Sequence, residues 1–327
     1  MKKIGILGLG KYLPEKVLTN ADLEKMVDTS DEWITTRTGI KERRIAAPDQ
    51  ATSDLAVRAG RQALADAKLE PKDIGLIIVT TVTADHQFPS TACYVQAALG
   101  ARDAICFDIQ AACSGFIYGL SCAENFLKAG SCKYALVVSA ETMSRFTDWQ
   151  DRSTCVLFGD GAGAAVVGEV ENGGIIASYM GADGTKTDLL DMAAGGSRLP
   201  ASAETVAKRQ HFVHMEGNEI FKIAVLNLAD AAQAALRKAE LKCSDVDWII
   251  PHQANLRIIN ALSKRLGFVN AQVYVNIERY GNMSSASTAT ALVEAVQENK
   301  IKKGDNVLLV AFGAGLVWGA MIMEWPR

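Results

Sequence analysis

Two stretches of this chain repeat one another, and the repetition limits the folds open to it. ALADAKLEPKDIGLII (63–78) aligns without a gap on ALRKAELKCSDVDWII (235–250), with seven identical positions. The same shift sets KYALVVS (133–139) on DNVLLVA (305–311), so the match reaches a strand as well as a helix. Such self-similarity marks a duplicated structural unit. The two halves, 1–172 and 173–327, each alternate apolar strand patterns with amphipathic helix patterns, as in mostly parallel sheets covered by helices. Strands are predicted at 4–9, 74–81, 104–109, 134–139 and 162–168, then at 174–181, 246–251, 272–277, 306–312 and 317–324. Ligands in open α/β sheets sit beyond the carboxyl ends of strands, so a pair of packed units would bring corresponding loops together there.

At 327 residues with 49% hydrophobic content and 7 prolines, the chain can bury a sizeable core. A net charge of -3 gives no global attraction to nucleic acid or to an anionic membrane. The seven cysteines (93, 106, 113, 122, 132, 155, 243) are odd in number and form no CxxC pair, which argues for a reducing, cytoplasmic setting and against a disulfide scaffold or zinc ribbon. In MKKIGILGLGKYLPEK the apolar run is short and interrupted by Lys11 and Glu15, so it reads as a first strand rather than a signal peptide. No run approaches the roughly 18 apolar residues of a membrane span. ILGLGKYL lacks the third glycine of a dinucleotide fingerprint, FGDGAGA has the wrong spacing, and neither is followed by a P-loop lysine. No nicotinamide, flavin, nucleotide triphosphate or metal cofactor is expected. FGDGAGA is instead expected to mark close backbone packing.

The run DIQAACSG (108–115) follows an apolar strand and precedes a helix patterned on Phe116, Leu120, Ala123 and Leu127. That reading puts Cys113 in the helix's first turn, where the helix dipole and free N–H groups favour a nucleophilic thiolate. A packed core cysteine is an equal reading of this position alone. Of four histidines, His252 is the one at a strand end among polar neighbours, and Asn282 lies in a Gly/Ser-rich loop after a later strand. Histidine stabilises a thiolate near neutral pH, and asparagine donates to an oxyanion without titrating. Taken singly, the histidine also fits a structural role and the asparagine a turn.

The ordered set DEWITTRTGIKERR (31–44), FPSTA (88–92), DIQAACSGF (108–116), FGDGAGA (158–164), MEGNEIFK (215–222), HQAN (252–255), YGNMSSAS (280–287) and FGAGLVWG (312–319) resembles the β-ketoacyl-acyl-carrier-protein synthase III family over essentially the whole chain. The resemblance implies a thiolase fold, a duplicated five-layer αβαβα arrangement with two mixed, mostly parallel sheets. It implies a Cys-His-Asn triad at Cys113, His252 and Asn282, and an oxyanion hole from the backbone N–H groups of Cys113 and Ala314, where the family often has glycine. CoA recognition would fall to Trp33, Arg37, Arg152, Gly217, Phe221 and Asn255. Phe88, on a loop that crosses to a partner subunit in the family, and Met143 would border the acyl pocket. The implied reaction is acylation of Cys113 by acyl-CoA, followed by decarboxylative condensation with malonyl-acyl-carrier protein in a homodimer.

The helix from Asn255 to Leu266 turns Arg257 and Lys264 away from its apolar face, with Arg265 to one side. With Lys222 these form a basic surface suited to an acidic carrier protein, although a solvated face is the default for such a cluster. A specialised synthase or acyltransferase using malonyl-CoA or another acceptor keeps the same acyl-cysteine chemistry. A non-catalytic acyl-binding subunit would carry an altered triad, and a papain-like hydrolase would not be duplicated.

Overall fold

The computed structural model describes residues 2–268 and 272–327. The first half contains β1 (Ile4–Tyr12), β2 (Lys16–Thr19), α1 (Asn20–Leu23), α2 (Asp31–Thr38), β3 (Glu42–Ile45), α3 (Thr52–Ala67), β4 (Leu76–Thr80), α4 (Thr91–Leu99), β5 (Ile105–Ile109), α5 (Gly115–Lys128), β6 (Tyr134–Thr142) and β7 (Asp160–Glu169). The second contains β8 (Gly174–Ala182), β9 (Leu190–Asp191), α6 (Ala203–Ala207), β10 (His214–Met215), α7 (Gly217–Lys238), β11 (Trp248–Pro251), α8 (Leu256–Leu266), α9 (Ile277–Tyr280), α10 (Ser285–Gln297), β12 (Asn306–Gly313) and β13 (Val317–Glu324).

Two large sheets run β1-β7-β6-β4-β5 and β11-β12-β13-β8. The strands matched by the sequence repeat hold matching places: β4 with β11, and β6 with β12. Both sheets are mixed. The parallel pairings are β4 with β5, β4 with β6, and β11 with β12. The antiparallel ones are β1 with β7, β6 with β7, β12 with β13, and β13 with β8. Parallel pairing is therefore a smaller share than expected. The reason is the connections: no α-helix separates β6 from β7 or β12 from β13, so each pair returns antiparallel.

The strand predicted at 272–277 is reduced to one parallel bridge, Val273 to Ile249. The Gln253 side chain takes over where a ladder would continue. Its Nε2 donates to the Tyr274 carbonyl at 3.2 Å, and its Oε1 accepts from the Asn276 N–H at 3.0 Å. A short helix, α9, then begins at Ile277.

Three apolar clusters divide the molecule into five layers. One joins α3 and α4 to the outer face of the first sheet, through Leu55, Ala59, Val95, Ile77 and Val138. The central one joins Phe116, Ile117 and Leu120 of α5 and Leu292 and Val293 of α10 to Ile78 and Val137 on one side and to Leu309 and Met321 on the other. The third packs α7 and α8 on the outer face of the second sheet, through Leu228, Ala232, Leu262, Leu308 and Ile322. Every residue of α10 from Ser285 to Ala295 is buried, and its small side chains (SASTATA) suit a helix enclosed all round. Gly163 shows how close that packing is: a Cβ there would lie 2.6 Å from Ala289 Cβ and 2.8 Å from Thr290 N. Among the described residues no helix is long and apolar enough to cross a membrane.

Candidate active site

β5 carries the chain to Cys113. Its Asp108 carboxylate accepts from the N–H groups of Thr91 (2.6 Å) and Ala92 (2.8 Å), which ties the strand to the first turn of α4. Beyond Ile109 the chain passes Ala112, at φ +41°, into a 3-10 turn at Ala112–Ser114, and α5 starts at Gly115. Cys113 thus precedes the helix rather than lying in its first turn. A non-glycine residue in the left-handed region costs about 1–3 kcal/mol and persists where its surroundings hold it. Here the end of β12 holds it. A Cβ on Gly313 would lie 2.6 Å from Cys113 N and 3.1 Å from Ala112 Cβ, so only glycine permits this approach. Ala314 follows, partly exposed beside the same loop.

The second half supplies the imidazole and the amide. The His252 N–H, just past β11, donates to the Val310 carbonyl at 2.8 Å. Its ring is buried, and neither ring nitrogen has a hydrogen-bond partner among the described residues. The Asn282 backbone is pinned to the 157–159 segment: its N–H donates to Leu157 at 2.8 Å, and its carbonyl accepts from Gly159 at 3.0 Å. Its Oδ1 accepts from the Ser284 N–H at 2.8 Å, which commits the acceptor end of the amide and leaves the donor end for the cavity.

Cys113, His252 and Asn282 all line one cavity of about 910 Å³, with Phe312 and Gly313 beside them. Burial sets the resting protonation. It pushes the Cys113 thiol up to about 12, against a lowering hydrogen bond to Ser284 and with a raising contribution from buried Glu141. It depresses the His252 imidazole to about 3. The resting pair is therefore a thiol beside a neutral imidazole, not the thiolate that a helix N-terminus would favour, because desolvation outweighs the dipole.

The exposed end of the cavity is lined by Trp33, Arg37, Gly217, Phe221, Lys222, Asn255 and Arg257. The guanidinium of Arg152 stands 4.8 Å from the Trp33 ring centroid and that of Arg37 stands 5.9 Å away, so indole and guanidinium groups are already grouped for a flat aromatic ligand. Arg152 also donates to the Asp28 carbonyl at 2.9 Å. Asn255 caps α8, its Oδ1 accepting from Arg257 N at 2.9 Å, and Arg257 lies over Phe221 at 5.4 Å. Lys222 pairs with Glu219 at 2.9 Å. Lys264 and Arg265 are exposed in the last turn of α8, outside the cavity lining.

Neither residue expected at the acyl pocket lines the cavity of this single chain. Phe88 is 85% exposed on the loop before α4. Met143 is buried in a cluster with Ile34, Val156 and Leu157, one layer behind the lining. Two residues near Cys113 escaped the sequence reading. Ser284, at φ +47°, places its Oγ 3.8 Å from Cys113 Sγ. Glu141 is fully buried at the end of β6, and its one sequence signal is a carboxylate within the apolar run YALVVSAET.

The family model described as 3-oxoacyl-[acyl-carrier-protein] synthase III matches residues 107–184, and the model for that family's C-terminal part matches 236–325. The chain is 60% identical over 324 residues to the β-ketoacyl-[acyl-carrier-protein] synthase III of Caldanaerobacter subterraneus, covering 99% of this chain and 98% of that one. To the enzyme of that name from Clostridioides difficile it is 56% identical, at the same coverage. Among solved structures, 3-oxoacyl-[acyl-carrier-protein] synthase III from Aquifex aeolicus superposes with a TM-score of 0.91 at 49% identity, covering 98% of this chain and all of that one. The priming β-ketosynthase of the R1128 polyketide biosynthetic pathway superposes at 0.92 with 38% identity, covering 100% of this chain and 97% of that one. With the duplicated fold, the paired strand-end loops and identity sustained along nearly the whole chain, this protein belongs to the β-ketoacyl-[acyl-carrier-protein] synthase III family of thiolase-fold condensing enzymes.

Proposed function

We propose that the protein is the initiating condensing enzyme of fatty acid synthesis and that Cys113, His252 and Asn282 carry the chemistry. The observation that carries this reading is their convergence, from three different loops, on one cavity. In the first half-reaction Cys113 sulfur attacks the acyl-CoA carbonyl while neutral His252 accepts the thiol proton. The tetrahedral oxyanion receives the N–H groups of Cys113 and Ala314, and CoA leaves as its thiol. Losing one such donor typically costs about 10²-fold or more in rate. Trp33, Arg37 and Arg152 would hold the nucleotide end of CoA, with Gly217, Phe221 and Asn255 along its arm.

In the second half-reaction malonyl-acyl-carrier protein replaces CoA, and CO2 leaves. The electron pair of the broken bond forms an enolate, which attacks the acyl-enzyme carbonyl to give the β-ketoacyl product and release Cys113 as a thiolate, which takes up one proton from solvent to restore the thiol. His252 and the donor end of Asn282 hydrogen-bond the thioester oxygen as its charge grows. A neutral imidazole suits this task, since its N–H can donate without the ring carrying the charge that burial opposes. The basic group Lys222, Arg257, Lys264 and Arg265 is the docking surface we assign to the acidic carrier protein. No cofactor is needed beyond the CoA thioester, which is substrate.

We also infer a homodimer. β5 is the edge of the first sheet, Ile105 on it is 48% exposed, and Phe88 on the loop before α4 is exposed as well. An exposed apolar edge strand is a liability unless covered, and a second copy would cover it while bringing Phe88 toward a partner's site. The free cysteines favour a reducing cytoplasm.

Intact-mass measurement after incubation with a panel of acyl-CoAs, followed by malonyl-acyl-carrier protein or malonyl-CoA, tests the mechanism. An acyl-sized gain is expected, absent in Cys113→Ala and discharged by the carrier-bound donor. No gain with any acyl-CoA from folded protein would overturn self-acylation. Discharge by malonyl-CoA alone would favour a specialised synthase, the reading that likeness to a polyketide-pathway priming enzyme supports.

A further inference from the structure

Glu141 has no part in the reaction just described, yet it is a fully buried carboxyl group close enough to Cys113 to oppose a thiolate. Its two oxygens share the Val82 N–H, 3.1 Å from Oε2 and 3.3 Å from Oε1, and otherwise face different partners. Oε2 accepts from Thr83 Oγ1 (2.6 Å), Thr81 Oγ1 (3.0 Å) and Val82 N (3.1 Å). The two threonine hydroxyls are themselves accepting from backbone N–H groups, Thr81 from Thr83 N and Thr83 from Thr142 N, so each has its own proton free to give. Oε1 meets Ser285, whose Oγ lies 3.0 Å away and whose N–H lies at 3.4 Å.

Ser285 decides the protonation. Its Oγ is also 2.8 Å from the Thr80 carbonyl, which can only accept. One hydroxyl has one proton. If Ser285 gives that proton to Thr80, the shorter contact, the 3.0 Å contact with Oε1 becomes a hydrogen bond only when Glu141 carries a proton of its own. A protonated Glu141 gives every group here a partner: Thr83, Thr81 and Val82 donate to Oε2, the Val82 and Ser285 N–H groups reach Oε1 at longer range, Oε1 donates its proton to Ser285 Oγ, and Ser285 donates to Thr80. Burial pushes the carboxyl in the same direction, toward the neutral form.

This clamp sits at the start of the turn that serves the site. Ser284, in the left-handed region, places its Oγ 3.8 Å from Cys113 Sγ, and its N–H fixes the Asn282 amide at 2.8 Å. Ser284's hydroxyl also faces the Glu141 carboxyl. The chain of contact is Glu141 to Ser285, Ser285 to Ser284 through one peptide, and Ser284 to both the thiol and the amide.

We propose that Glu141 is a positioning residue: as a neutral carboxylic acid it clamps the 284–285 turn to the end of β4, and that clamp sets the geometry of Cys113 and Asn282. The inference rests on Cys113 being the nucleophile. A neutral amide of the same shape can replace a neutral acid, accepting on one side and donating on the other, whereas it cannot replace a carboxylate that must ionise or shuttle a proton.

The test uses the full-length protein with Glu141→Gln, Glu141→Ala, Ser285→Ala and Cys113→Ala, reading acylation by intact mass over a range of acyl-CoA concentrations. Glu141→Gln is expected to acylate within about threefold of wild type. Glu141→Ala and Ser285→Ala are expected to lose about 10- to 10²-fold in maximal rate with little change in half-saturation, as misplacement of a reacting group does. Infrared spectra of wild type should carry a buried protonated-carboxyl stretch that Glu141→Gln lacks. A Glu141→Gln variant as slow as Glu141→Ala would overturn the neutral-acid assignment, and alanine variants as fast as wild type would overturn the clamp. Should Glu141→Ala fail to fold, Ser285→Ala decides the second point. Acylation surviving in Cys113→Ala would overturn the nucleophile and this proposal together, while a dead Cys113→Ala beside a fast Glu141→Ala would overturn this proposal alone.

Discussion

His252 carries an energetic cost that should be measurable away from catalysis. Its imidazole is depressed from 6.5 to about 3 by burial, so between those values the unfolded chain binds a proton that the native one does not. Stability then rises with pH across that window and falls as pH drops below about 6.5, by about 1.4 kcal/mol per unit for one group. Urea unfolding at pH 7.5 and pH 5 should therefore show wild type losing about 2 kcal/mol more than His252→Ala over the same interval. Equal losses would mean that the folded ring takes up its proton as readily as the unfolded one. Taken singly, Cys113, His252 and Asn282 each also fitted a structural role in the sequence, and the family motifs joined them as a triad; the structure brings all three to one cavity. Ser284 and Glu141 could not be read from the sequence, because their importance lies in a backbone angle and in an oxygen's partners. Sequence spacing reports neither.

At the scale of elements, strands with unbroken apolar runs were legible, and α8 was placed to within one residue: it begins at Leu256, with Asn255, the expected first residue, as its cap. The segment 272–277 was not legible, since its Tyr274 carbonyl and Asn276 N–H are satisfied by the Gln253 side chain instead of a ladder. The glycines of FGDGAGA were rightly read as close packing, and Gly163 gives that reading a number. A methyl group there would overlap α10 at Ala289 and Thr290. Gly163→Ala should cost about 1–3 kcal/mol, seen as a lower urea midpoint, because overpacking forces helix and strand apart. Since α10 begins at Ser285, the same variant should also slow acylation. An unchanged midpoint would show that the contact relaxes freely.

For the whole molecule, the repeat in the sequence announced two similar sheets, while the central layer of α5 and α10 follows only once both sheets are placed. No pattern within one chain reveals a partner, so Phe88 looks idle until a second copy is considered. Light scattering on the purified protein should give twice the chain mass, and Ile105→Lys on the β5 edge should give a monomer with reduced condensation activity. A wild-type monomer with full activity would remove Phe88 from the acyl pocket.

The shared middle layer has a consequence for ancestry. When two identical copies pair about an axis, every substitution is made twice, and a thiol placed on one side must appear on the other. Joining the copies in one polypeptide lifts that constraint. Thr80 now stands where the alignment puts His252 in the second half, and the first half carries the cavity's cysteine while its twin carries the cavity's histidine and asparagine. Neither helix of the central layer can be given back to a separate molecule without uncovering the other. The fusion, once made, works as a ratchet: the two parts diverged in task while each became the other's interior.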